Sequence, residues 1–184
     1  AASHGDSSSI CADTRRVSHE LAHQLMFNTG LQTRGVLYPA WLSEGLATNF
    51  ETRSPSRGGF TGDNPSRRHR LVKARRQDRL MPLEKLITLS RPPVERQNRL
   101  DMYAQSWGMV QFLFKRDPSA FRWYLYKLAL RPKGERHAPA LKQEFTSAFG
   151  AIERLEAQWL TYLNGVAQQV HRRRAEKSKR GGGR

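Results

Sequence analysis

The sequence contains one cysteine, Cys11, and no long apolar run. A lone cysteine excludes an internal disulfide framework and a multi-cysteine zinc knuckle. Since no run of about 18 apolar residues occurs, we expect no membrane-spanning helix. No charged segment followed by an apolar stretch is present, so we expect no signal peptide within this chain, and the compartment stays open. Four Trp, five Tyr and eight Phe in periodic segments argue against full disorder.

Acidic residues are also scarce, with 16 Asp and Glu against 32 Lys and Arg, which gives a formal net charge of +16 over 184 residues. Two segments carry +13 of this excess, and the rest of the chain has the nearly balanced composition of an ordinary domain. The length suits one domain with a tail. We therefore expect a flexible N-terminal end at 1–13, a domain at 14–170 with a basic insertion or loop at 53–79, and a disordered basic tail at 171–184.

Each basic segment allows two interpretations. Segment 53–79 opens as a loop rich in Ser, Pro and Gly, and then predicts a basic helix that starts near Ser66. This helix is either a solvated face or a patch for an acidic partner. Segment 171–184 has no apolar residue beyond Ala175 and ends in a glycine run, which is typical of a disordered tail. Its alternative role is contact with nucleic acid or another anionic polymer or surface.

Apolar periodicity and helix stop signals predict a mainly α protein without convincing strands. On the first helix, Leu21, Leu25 and the pair of Val17 and Met26 form the predicted apolar side. Apart from the basic helix, the predicted helices are roughly 14–29, 40–52, 83–89, 100–116, 119–130, 139–149 and 151–169.

The first predicted helix contains an H-E-x-x-H motif formed by His19, Glu20 and His23. Residues four apart lie on one face of a helix, so both imidazoles can reach one metal ion. Glu20 projects about 100° away from His19, beside the metal, where it can accept a proton from metal-bound water. The alternative is a helix with two exposed histidines and a glutamate.

A second carboxylate candidate, Glu44, follows His23 by 21 positions in an apolar segment with Trp41 and Leu46. Such flanks predict a buried helix, and a buried Glu needs a partner such as a metal. The adjacent Gly45 is small enough to permit close approach of two helices. Two imidazole nitrogens and one carboxylate are a ligand set that suits Zn²⁺. The alternative for Glu44 is a surface carboxylate.

The two motifs, H-E-L-A-H and P-A-W-L-S-E-G-L-A, resemble those of the gluzincin zinc metallopeptidases. The closest resemblance is to the peptidase-MA-like group, which includes an uncharacterised bacterial family. That group shows a later Y-x-x-S-[WY] segment and an F-x-x-A-F-G segment with a Trp downstream. This chain has matching segments at 103–107 and 145–150, followed by Trp159, so that the resemblance covers about residues 14–165.

The resemblance implies one Zn²⁺ per chain, held by His19, His23 and Glu44. It also implies Glu20 as general base and Tyr103 as the hydrogen-bond donor to the tetrahedral oxyanion. The alternative for Tyr103 is a core tyrosine on an aromatic helix. Glu51 shares a helical face with Glu44, and we expect it either to hydrogen-bond a metal-bound histidine or to form a surface salt bridge.

The implied function is a zinc-dependent metallopeptidase that hydrolyses peptide or protein substrates, on a thermolysin-like helical catalytic subdomain. Gluzincins carry a β-sheet before the H-E-x-x-H helix, and because only 18 residues precede His19, we expect that sheet to be largely missing from this chain. The basic segment 53–79 is expected to overhang the cleft and to favour acidic substrates. The alternative function is an anionic-polymer or nucleic-acid binding module on a degenerate peptidase scaffold.

Overall fold

A computed structural model describes residues 6–54, 59–60, 62–134 and 137–181. This part of the chain is mainly helical, as the sequence predicts. No helix within these residues is long and apolar enough to cross a membrane. The helices are α1 (Asp6–Asn28), α2 (Ala40–Asn49), α3 (Pro65–Arg76), α4 (Leu83–Thr88), α5 (Arg96–Arg116), α6 (Pro118–Ala129), α7 (Ala138–Phe149) and α8 (Ile152–Gly181).

The centre of the core is the contact between α2 and α5, because both helices bury large apolar side chains there. Trp41 of α2 and Met109 of α5 are fully buried. The Trp41 ring stacks on Tyr124 of α6 at 6.2 Å and meets Phe145 of α7 edge-on at 5.8 Å between ring centroids. Aromatic pairs of this kind contribute more to stability than the burial of their apolar area alone would give. Helix α2, which carries Glu44, is therefore fixed from several sides.

Gly45 sets how closely α2 approaches α5. A Cβ atom at this position would lie 2.6 Å from the backbone oxygen of Ser106 and 2.7 Å from a methyl group of Val110. Real Cβ atoms essentially never come this close, so only glycine fits without a shift of backbone. The close approach that the sequence predicts at Gly45 is made to α5.

We expect Gly45→Ala to lower the free energy of unfolding by about 1–3 kcal/mol, because the new methyl group overpacks the α2–α5 contact. Urea unfolding followed by circular dichroism measures this change. Gly165→Ala is the matched control, since a Cβ there would meet no atom within 4 Å. In a helix interior that control is expected to be neutral or stabilising by up to about 1 kcal/mol. Equal stability of Gly45→Ala and the parent chain would contradict this account of the packing.

Both ends of the described chain are more helical than the sequence predicts. Helix α1 begins at Asp6, so the described part of the predicted flexible end is helical, and residues 1–5 lie outside the description. Helix α8 continues to Gly181 through most of the segment predicted to be a disordered tail, and residues 182–184 lie outside. That prediction was wrong because Ala, Glu, Lys and Arg are strong helix formers, even without apolar residues among them.

The apolar side predicted for α1 is only partly correct. Met26 is buried, but Val17, Leu21 and Leu25 are 55%, 60% and 52% exposed. The side of α1 that packs against the protein contains Ala22 and Met26. Spacing identifies residues that share a face, but it does not say which face meets α2.

The basic segment contains more structure than a loop. Two-residue strands, β1 (Arg53–Ser54) and β2 (Gly59–Phe60), pair antiparallel, although the sequence indicates no strands. Residues 55–58 and residue 61 lie outside the described part. The basic helix predicted from about Ser66 is confirmed as α3, at whose start the Asn64 side chain accepts a hydrogen bond from the backbone amide of Arg67.

Candidate metal centre

Three side chains from two helices converge at one point. His19 and His23 lie on α1, and Glu44 lies on α2. The His19 Nε2 atom is 3.1 Å from Glu44 Oε2 and 3.2 Å from His23 Nε2, and the third distance, His23 Nε2 to Glu44 Oε2, is 3.9 Å. Their side chains are 12–21% exposed. These residues form a cluster whose ligand atoms all lie within 4.8 Å of one another.

The chemistry and spacing of these donors fit a zinc ion. Two histidine nitrogens and one carboxylate oxygen form a set found in catalytic zinc sites, which leave a fourth position open. Ligands at the usual zinc distances of about 2.0–2.1 Å in a tetrahedron lie about 3.3 Å from one another. The observed separations of 3.1, 3.2 and 3.9 Å bracket that value. A small inward adjustment of His23 or Glu44 would complete the ligand triangle.

Glu51 controls which nitrogen of His19 faces the site. Its Oε1 atom lies 3.1 Å from His19 Nδ1, and an ionised carboxylate only accepts hydrogen bonds. Nδ1 therefore carries a proton and donates it to Glu51. When the ring is protonated, Nε2 donates to Glu44, and when the ring is neutral, the Nε2 lone pair faces Glu44 and His23. Second-sphere carboxylates orient metal-binding histidines in this way. Of the two interpretations of Glu51, the structure supports the contact with a histidine of the site.

Glu51 is in turn held by the start of α3. Arg67 donates from Nε to Glu51 Oε2 at 2.9 Å, and Asn64 Nδ2 donates to the same oxygen at 2.8 Å. Burial alone would raise the pKa of Glu51, but hydrogen bonds from His19 and Arg67 outweigh it and lower the pKa to about 2. The carboxylate therefore stays ionised throughout the neutral range.

The two histidines differ in their affinity for protons. Burial lowers the pKa of His19, but hydrogen bonds to Glu44 and Glu51 and the charges of both raise it to about 9. Burial also lowers the pKa of His23, and the neighbouring His19 lowers it further. The lone pairs of two imidazole nitrogens and one carboxylate oxygen repel one another at these distances unless a proton or a cation lies between them. A proton on His19 fulfils this role in the metal-free protein, and a metal ion would replace that proton.

A cleft of about 680 Å³ opens beside the cluster and is lined by His19, Glu20 and Tyr103, among others. Glu20 is exposed in this cleft. Tyr103 is half-buried, with its ring stacked on that of His19 at 6.0 Å between centroids. Burial, and then the charge and hydrogen bonding of Glu44, raise the pKa of Tyr103 to about 12, so that its hydroxyl keeps its proton.

The structure thus brings His19, His23 and Glu44 together and places Glu20 and Tyr103 beside them. Two residues of the site were missed by sequence reasoning, namely Arg67 and Asn64. The dipeptide of Asn64 and Pro65 is a helix-start signal that could have identified the cap. The sequence offers no signal that pairs Arg67 with Glu51, because the pair forms only when the tertiary fold brings the start of α3 beside the segment after α2.

The fold and site define a mainly helical protein with a cluster of three side chains that could bind a metal ion at the edge of a cleft. The sequence profile of a family described as "Protein of unknown function (DUF1570)" matches residues 13–133. This match covers more than half of the chain and includes the H-E-x-x-H motif, Glu44 and Tyr103, so the chain belongs to that family. No curated protein and no solved structure matches the chain.

Proposed function

We propose that this protein is a gluzincin-type zinc metallopeptidase that hydrolyses peptide bonds. The observation that carries the proposal is the convergence of His19 Nε2, His23 Nε2 and Glu44 Oε2 at the spacing of a tetrahedral zinc site. The hydrogen bond from His19 Nδ1 to Glu51 supports it, because it presents the metal-binding lone pair to the cluster.

The side chains around the cluster would have different roles in hydrolysis. Zinc, when bound, lowers the pKa of a water ligand to about 7 and polarises a carbonyl. Glu20 accepts the proton of the attacking water and later donates it to the leaving amine. The Tyr103 hydroxyl donates a hydrogen bond to the oxygen on which negative charge develops. Glu51 holds His19 in the required tautomer throughout.

The alternative, a binding module for nucleic acid or another anionic polymer, has less support from the basic segment than its charge suggests. Several of its arginines make ion pairs within the protein. Arg67 pairs with Glu51, Arg68 with Asp63, and both Arg70 and Arg79 pair with Asp101. Because these arginines are paired with carboxylates of the protein, less of their charge is available to bind a polyanion. This weakens the alternative relative to the peptidase proposal.

The purified chain is expected to contain about one zinc per molecule, as measured by elemental analysis after dialysis. His19→Ala and Glu44→Ala should each lose this zinc, because two remaining ligands do not hold the ion against dialysis. His69→Ala is the control, since His69 is exposed and outside the donor cluster, and it should keep full zinc content. Circular dichroism of each variant checks that the helices remain.

Two outcomes would contradict the three-ligand site. The first is a folded parent chain without stoichiometric zinc after exposure to the metal. The second is zinc content that survives Glu44→Ala, which would leave only the histidines of α1 as ligands and remove the gluzincin arrangement.

A further inference from the structure

The cleft beside the candidate metal centre is lined mainly by cationic side chains. Helices α1 and α3 supply them, and two carboxylates, Glu20 and Glu51, also line the cleft. The cationic lining residues are Arg15, Arg16, Arg67, Arg70 and Lys73.

Two of these cations are neutralised by buried carboxylates. Arg67 forms the ion pair with Glu51 described above. Arg70 Nε lies 2.8 Å from Asp101 Oδ1, and the Asp101 side chain is only 3% exposed. These two arginines connect α3 to the segment after α2 and to α5, and the paired carboxylates reduce the positive potential that the arginines present to a ligand.

Arg16 and Lys73 are different, because both are exposed and neither has an ion-pair partner among the described side chains. The third exposed cation, Arg15, lies within reach of Ser66 Oγ at 3.3 Å, which brings α1 and α3 together across the cleft. Uncompensated charge of one sign in a concave site with low-dielectric walls concentrates ligands of opposite charge. The cleft therefore attracts an anionic ligand to the neighbourhood of His19 and Glu20.

The lining favours a peptide over a nucleic acid. Proteins that bind single strands stack bases on exposed aromatic rings, and Tyr103 is the one Phe, Tyr or Trp in this lining. Its ring already stacks on His19 and lies 5.4 Å from the Arg67 guanidinium carbon, so it offers no free platform. The volume of about 680 Å³ lies within the range of about 300–1,000 Å³ that is usual for ligand-binding clefts.

We propose that the cleft selects peptide segments with acidic side chains beside the scissile bond, and that Arg16 and Lys73 contact those carboxylates. This inference rests on the proposed peptidase function, since it names the substrate class of the same site. It assigns the two exposed cations a role in specificity that is separate from zinc binding and from proton transfer.

Peptide binding tests this without requiring cleavage. The full chain carrying Glu20→Gln, loaded with zinc, is titrated into two fluorescent peptides of equal length, one rich in Glu and one with Gln at each of those positions. At low salt the Glu peptide is expected to bind about tenfold more tightly, and added salt should reduce the difference. Arg16→Ala and Lys73→Ala should each weaken binding of the Glu peptide by about threefold to fivefold. Fluorescence anisotropy measures all of these affinities.

Arg154→Ala supplies the matched control, because Arg154 is an exposed cation on α8 that does not line the cleft. It lowers the net charge by the same amount and should change the affinity by less than about twofold. Equal affinity for the Glu and Gln peptides would overturn the inference. So would full affinity in the Arg16→Ala and Lys73→Ala double variant. If a single-stranded oligonucleotide binds more tightly than the Glu peptide and loses affinity in that double variant, the ligand of the cleft is a nucleic acid and the peptide proposal is wrong.

The results separate this inference from the proposed function. Zinc-dependent cleavage of peptides without preference for acidic sequences would support the peptidase proposal and contradict the proposed acidic specificity. The opposite result is also possible to recognise. If the Glu peptide binds through Arg16 and Lys73 but the parent and Glu20→Gln chains cleave peptides equally, the acidic ligand is supported and the proposed peptidase mechanism is contradicted.

Discussion

Replacement of Glu20 by Gln is expected to lower the turnover of peptide hydrolysis by about 10²–10⁴-fold while the zinc content stays the same. The amide keeps the size of the carboxylate but accepts no proton from water, and this range is typical for the loss of a general base. Glu20 has no hydrogen-bond partner among the described side chains and is exposed in the cleft, so its loss should not change stability.

The measurement is kcat/KM on a labelled peptide for zinc-loaded parent and Glu20→Gln chains, beside elemental analysis of both. Glu153→Gln, an exposed carboxylate on α8, is the control for loss of one negative charge. Activity of Glu20→Gln close to that of the parent would show that another group moves the proton, and would end the mechanism proposed for this site.

The sequence predicts most securely those features of the site that depend on residues close together in the chain. His19 and His23 share a face because they lie four residues apart on a helix, and this holds wherever the helix packs. Glu44 was predictable for a second reason, since the apolar residues around it required a buried helix. Its apposition to His19 came from the family resemblance and not from local pattern.

The contacts of Glu51 show where sequence reasoning stops. The sequence predicts one helix over 40–52 with Glu51 on the face of Glu44, but α2 ends at Asn49 and Glu51 lies in the segment after it. Spacing also left open whether Glu51 meets a histidine or solvent. The outcome depends on Arg67, which lies in a run of basic residues that all look alike in sequence. Only the position of the start of α3 beside the segment after α2 distinguishes Arg67, which holds Glu51, from Lys73, which faces the cleft without an ion-pair partner among the described residues.

The same limit applies to α1. Its apolar periodicity was real, yet the stripe containing Leu21 and Leu25 is exposed and the side bearing the two histidines packs against α2. A hydrophobic pattern ranks the faces of a helix by polarity. Here the two histidines of the polar motif are partly buried while Glu20 stays exposed, and His19 finds hydrogen-bond partners in Glu44 and Glu51 that make its burial tolerable.

The enclosed position of His19 leads to the second large effect, which concerns Glu51. We expect Glu51→Gln to lower the affinity for zinc by about 10–100-fold, the usual consequence of altering the partner of a metal-binding histidine. A neutral amide no longer favours the Nδ1 proton by its charge, so the tautomer with the lone pair on Nε2 loses its advantage. Competition with a chelator of known zinc affinity measures the change.

The control must separate this effect from the loss of a buried ion pair. Glu51 is 8% exposed and paired with Arg67, and Glu144 is 10% exposed and paired with Arg131 at 2.9 Å. Glu144→Gln thus removes a carboxylate of nearly equal burial that touches no residue of the metal cluster. Glu51→Gln should be the less stable of the two, since Arg67 is 16% exposed when it loses its carboxylate, whereas Arg131 is 47% exposed and solvated. If Glu144→Gln reduced zinc affinity as much as Glu51→Gln, the effect would come from general destabilisation, and Glu51 would have no particular role in orienting His19.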